Sequence, residues 1–96
     1  MALRKQRESD NVFAQLGFKG DEALNLRLRS EMMNALIAEI ENKGLTQAQA
    51  AARLGVSQPR ISNLMRGKLH LFSLDMLICL LSAAGLRVEM KVRKAA

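Results

Sequence analysis

Between Asn42 and Leu74 the chain holds Lys43, Arg53, Arg60, Arg66 and Lys68 but no carboxylate, and among these cations stand the amides Gln47, Gln58 and Asn63. Such a set can pair with a polyanion and can form hydrogen bonds through side chains that both donate and accept. A side-chain amide presents N–H and C=O side by side, which matches the N6/N7 edge of adenine in the major groove of a DNA duplex. The cations anchor a phosphate backbone without reading sequence, and the lack of acids leaves nothing to repel it. Catalysis finds no comparable support. His70 is the only histidine and Cys79 the only cysteine, so neither a metal cluster nor a Cys/His pair with an orienting third group can be assembled. No glycine-rich phosphate loop occurs. The expectation is a non-enzyme without metal or cofactor, with His70 in a loop near phosphate and Cys79 a small buried hydrophobe in the most apolar stretch.

The elements that must position these groups follow from the local sequence. Residues 45 to 67 read LTQAQAAARLGVSQPRISNLMRG. Thr46 can cap the N-terminus of a helix, and good helix formers run from Gln47 to Arg53. Ala51 allows close helix approach, Leu54 closes the apolar face, and Gly55 can take the positive φ of a helix end. Val56 plugs the corner, Ser57 is a second N-cap, and Pro59 falls in a first turn, where its missing N–H has no helical partner to lose. A second helix is expected from about Gln58 to Arg66. Ile61, Leu64 and Met65 give it an apolar face and leave Gln58, Arg60, Ser62, Asn63 and Arg66 outward.

This spacing resembles the helix-turn-helix of the lambdoid phage repressor and Xre-like family. Gln47, Ala51, Gly55, Val56, Ile61 and Leu64 sit where that pattern wants a Gln opening the first helix, a small residue, a Gly, a Val before Ser, and two apolar anchors. The resemblance implies an all-α, lambda-repressor-like bundle that binds double-stranded DNA. By position it implies that Gln58, Pro59, Asn63 and Ser62 meet base edges, while Gln47, Ser57, Arg60, Arg66, Lys68 and Arg53 meet or flank phosphates. Pro59 departs from members with a polar residue there. It cannot hydrogen-bond a base but can pack on a thymine methyl.

Outside the hinge, Leu28, Met32, Met33, Leu36, Ile37 and Ile40 repeat at helical spacing from Asp21, a plausible N-cap, to Lys43, with Gly44 as the stop. This is the expected scaffold helix for the hinge. From Ser73 to Ala84 the residues Leu74, Met76, Leu77, Ile78, Cys79, Leu80 and Leu81 leave almost no polar face, so that helix must be covered on more than one side. Leu86, Val88, Met90 and Val92 then alternate with Arg87, Glu89 and Lys91, the period of a β-strand. A lone strand leaves its backbone groups unpaired. The expectation is a homodimer in which two such strands pair antiparallel, with Leu77, Leu81, Val88, Met90 and Val92 at the interface. Twofold symmetry would place two recognition helices about one DNA turn, ~34 Å, apart on a pseudo-palindromic operator.

The order of segments is an N-terminal arm (1–20), a helical domain (21–85) and a strand with a basic tail (86–96). Together with the arm's NVFAQLGF it looks like a HigA-type antitoxin over roughly Asn11 to Arg93. That likeness implies autoregulation of an operon and a small basic RelE/HigB-like toxin as partner, met through Phe13, Leu16 and Phe18. The alternatives are an arm folded onto its own domain and a stand-alone Xre-type repressor with no toxin. Composition agrees with the general class: 96 residues, a net charge of +6 and a pI near 10.3 suit one small domain that gains from a partner and favours polyanions. No run approaches the ~18 apolar residues of a membrane span, MALRKQRESD lacks a signal peptide's apolar core, and a single cysteine forms no internal disulfide, so a reducing cytoplasm is expected.

Overall fold

The starts of the three later helices are each made by a side chain directly before them. The structure, a computed structural model, describes residues 18–95, and residues 18–21 by their backbone alone. It contains α1 (Phe18–Asn42), α2 (Gln47–Leu54), α3 (Gln58–Met65), a single 3₁₀ turn (Leu69–Leu71) and α4 (Leu74–Ala83). Thr46 Oγ1 accepts the Gln49 N–H at 3.1 Å while the Gln49 side chain accepts the Thr46 N–H at 2.9 Å, a reciprocal capping box at the head of α2. Gly55 ends α2 at φ 73°, and the N–H groups of Gly55 and Val56 both donate to Ala51 O, at 2.9 and 3.0 Å. Two residues later Ser57 caps α3, accepting the Arg60 N–H at 3.3 Å. Ser73 does the same for α4 with the Met76 N–H at 3.1 Å.

The core gathers Met33, Leu36 and Ile40 of α1, Ala50, Ala51 and Leu54 of α2, Ile61 and Leu64 of α3, and Leu77, Leu80, Leu81 and Ala84 at α4. α1 packs chiefly along α4 and also touches α3, so the scaffold supports the hinge largely through α4. Phe72, 1% exposed, fills the centre from the linker before α4. Phe72 and Leu77 flank the Ser73 cap at the two positions of a hydrophobic staple, and both lie in the core. From the other side Arg29 of α1 ties this linker down: its guanidinium donates to Leu69 O at 3.1 Å and Phe72 O at 3.4 Å, and to Asn25 Oδ1 at 2.7 Å.

Four expectations require correction. α1 is already helical at Phe18, ahead of the Asp21 cap, so Lys19 and Gly20 are helical and Phe18 belongs to the scaffold helix. Leu77 and Leu81, expected at a dimer interface, are 0% and 3% exposed within one protomer. They recur with Leu80 and Ala84 at the spacing of a single inward face, and that face is used up by the protomer's own core. The third correction follows from the second: Ile78 is 41% exposed and Cys79 is exposed, because only one side of α4 is covered. Finally, residues 86–95 form no strand among the described residues. A strand exists through its ladder, and the described residues supply no partner for this one. Phe13 and Leu16 lie outside the described residues.

Candidate nucleic-acid interface

With about 3.6 residues per turn, the fully buried pair Ile61 and Leu64 fixes the inner face of α3. Pro59, Ser62, Asn63 and Arg66 fall opposite that pair, with Gln58 at the edge of the first turn. Gln58, Pro59 and Arg66 are exposed, and Ser62 and Asn63 are half-buried. The four expected base-reading residues therefore share one outward surface. It is low in relief, since Pro and Ser are short, so the backbone of α3 can approach a groove closely. Its two amides, Gln58 and Asn63, are the groups able to make paired hydrogen bonds to a base edge.

The expected phosphate contacts separate into two groups. Arg53, at the last turn of α2, and Arg66, at the end of α3, are exposed, and Lys68 is half-buried just beyond Gly67. None of the three has a carboxylate within ion-pair distance among the described residues. Gln47 and Ser57 are exposed at the heads of α2 and α3, where the first backbone N–H groups of a helix have no intrahelical acceptor and can receive an anion. Neither first turn carries an acid. Lys43 is different: its Nζ lies 2.8 Å from Glu39 Oε2, which neutralises it locally.

Arg60 stands apart from both groups. Its position in α3 is beside Leu64 on the inner rim, and the side chain turns back toward α4. The guanidinium carbon lies 5.7 Å from the centroid of the Phe72 ring, and an N–H donates to Met76 Sδ at 2.9 Å. It is half-buried. Arg60 thus joins the recognition helix to the linker and to α4, and its cation is engaged with an aromatic face. The periodicity of α3 alone puts Arg60 outward, and the family resemblance puts it among phosphate ligands; sequence reasoning reaches neither its turn toward α4 nor the residues around it. The residues missed are Phe72, Met76 and Arg29, which lock the linker and α3 in place. Phe72 had a legible signal, a large apolar residue directly before a serine cap and five residues before a leucine. Arg29 had none, since its acceptors are backbone carbonyls far along the chain.

Fold and site together define a helix-turn-helix protein with a cationic, acid-free recognition surface. The chain belongs to the helix-turn-helix domain family, whose match extends over residues 12–93. A solved structure provisionally described as an XRE family transcriptional regulator shares 40% identity with it at a TM-score of 0.73, over 77% of this chain and 83% of the other. The chain is accordingly an Xre-like member of that family. No curated protein matches it. Among the described residues no helix is long and apolar enough to cross a membrane.

Proposed function

We propose that the protein is a sequence-specific DNA-binding transcriptional repressor that acts as a homodimer on a pseudo-palindromic operator. The observation that carries this is the outward face of α3, where Gln58, Pro59, Ser62 and Asn63 lie together, flanked by Arg53, Arg66 and Lys68 with no carboxylate beside them. In this reading α3 enters the major groove. Gln58 and Asn63 hydrogen-bond base edges, Pro59 packs on a thymine methyl, and Ser62 lets the helix sit close. Arg53, Arg66, Lys68, Ser57 and the head of α2 at Gln47 hold the phosphates on either side. Dimerisation uses the C-terminal segment through Val88, Met90 and Val92. The similar solved structure, itself described as a transcriptional regulator, supports the regulatory role.

The HigA-like order of segments extends the proposal: the protein is the antitoxin of a type II pair, represses its own operon and masks a small RelE/HigB-like nuclease with its N-terminal arm. Leu24 and Leu26 near the start of α1 and Leu71 on the 3₁₀ turn are exposed apolar residues, which supports a covering partner at that end. The test separates the two roles. Gln58→Ala and Asn63→Ala should each weaken operator binding by roughly 1–3 kcal/mol and spare protection of cells from a co-expressed toxin. Phe13→Ala should do the reverse. If Phe13→Ala leaves protection intact, or if no toxin co-purifies with the chain, the protein is a stand-alone Xre-type repressor. Operator binding unaffected by both amide substitutions would overturn the DNA reading itself.

A further inference from the structure

The segment after α4 holds two incomplete features on the same protomer. Ile78 and Ser82 of α4, together with Leu86 and Val88, line an open groove of about 480 Å³. Beyond it, Met90 and Val92 are 85% and 83% exposed, large apolar side chains that no described residue covers. Arg87 and Glu89 lie on one side of the segment, with guanidinium and carboxylate 3.9 Å apart. That is the i, i+2 arrangement of a strand and agrees with the alternation of apolar and charged residues.

An antiparallel pair of identical strands can keep its apolar faces together in three registers near the centre of this segment, with Val88, Glu89 or Met90 opposite its own copy. Centred on Glu89, the ribbon sets two carboxylates against each other and Arg87 against the partner's Lys91. Centred on Met90, it pairs Glu89 with the partner's Lys91 but sets Arg87 against the partner's Arg93, so the gain is offset. Centred on Val88, it sets Arg87 against the partner's Glu89, twice by symmetry, and makes no like-charge pair. That register also places Met90 of one strand opposite Leu86 of the other, at the mouth of the groove.

We propose that the occupant of this groove is a second copy of the chain, docked with Val88 on the twofold axis, Arg87 paired with the partner's Glu89, and each Met90 seated in the other protomer's groove beside Ile78 and Leu86. The proposal rests on the dimeric reading above and adds its register and the role of the outward face of α4. Cross-strand charge pairing selects the register, and burial of Met90 drives the association.

The experiment is disulfide trapping of single-cysteine variants in a Cys79→Ser background, alongside sedimentation of the wild-type chain. Directly opposed residues in an antiparallel pair have Cα atoms about 4.5–5.5 Å apart, within disulfide reach. Val88→Cys should therefore cross-link nearly completely under mild oxidation. In the same register the two copies of residue 90 are offset by roughly 14 Å along the strands, so Met90→Cys should not cross-link, nor should Glu89→Cys. As a second reading, Arg87→Glu and Glu89→Arg should each raise the dimer dissociation constant roughly tenfold, and the two together should restore it. A dimer that cross-links through position 89 or 90, or through none of the three, overturns the register while leaving the dimer. A monomer at micromolar concentration overturns both.

Discussion

Arg60 gives the sharpest division between holding the fold and holding DNA. Replacing it with alanine removes the guanidinium 5.7 Å from the Phe72 centroid and the donor to Met76 Sδ. A half-buried cation on an aromatic face is worth about 1 kcal/mol, and the aliphatic stem that packs across α4 adds a comparable amount. The expected loss is about 1–2 kcal/mol of folding stability, which for a domain of this size lowers the melting midpoint by roughly 5–15 °C. Urea denaturation followed by far-ultraviolet circular dichroism measures the stability. Fluorescence anisotropy of labelled operator against salt concentration measures the phosphate contacts. A dimer that loses one phosphate contact per protomer loses about 1.8 from the logarithmic salt slope, twice the ~0.9 of a single contact. Arg60→Ala should leave that slope unchanged, whereas Arg66→Ala should reduce it by about this amount without destabilising the fold. An Arg60→Ala protein of normal stability whose slope falls by about 1.8 would refute the reasoning: the guanidinium would then leave Phe72 to reach DNA.

Three further outcomes test how the fold positions the recognition helix. Gly55→Ala places a Cβ that meets no heavy atom within 4 Å, so its whole cost is backbone strain at φ 73°, about 1 kcal/mol by chemical denaturation; an unchanged midpoint would mean the turn relaxes freely. Thr46→Ala removes the Oγ1 that accepts the Gln49 N–H, leaving the backbone N–H of residue 46 its bond to Gln49 Oε1, and should cost about 1 kcal/mol, while Thr46→Ser should recover most of it, as read from the same denaturation curves. Phe72→Ala empties the centre of the core and should cost about 3–5 kcal/mol, enough to leave much of the population unfolded in calorimetry at 37 °C.

What the sequence made legible is what is decided locally. Thr46, Gly55, Ser57, Pro59 and Ser73 act on backbone groups within four residues of themselves, and both ends of α2 and the starts of α3 and α4 follow from them. The outward face of α3 was equally legible, because Ile61 and Leu64 fix it by periodicity alone. Apart from the helix running upstream of Asp21, the misreadings concern partners distant in sequence. The turn of Arg60 toward Phe72 depends on a ring twelve residues away that is carried in by the linker. Cys79 looked buried because every neighbour is apolar, yet a helix packed along one side buries only the face of Leu77, Leu80 and Leu81. The same reason withdraws Leu77 and Leu81 from a dimer interface. The strand at Leu86 to Val92 is written clearly in the alternation, but the described residues contain no ladder to realise it.

The central claim, a sequence-reading α3, is tested most directly by incubating the purified chain with random duplex DNA, recovering what binds through several rounds and sequencing it, with Asn63→Ala carried in parallel. The account predicts a pseudo-palindromic motif with half-sites about one helical turn apart, and for Asn63→Ala the loss of preference at one symmetric pair of positions. Enrichment of no motif, or a motif that Asn63→Ala and Gln58→Ala both leave unaltered, would contradict it.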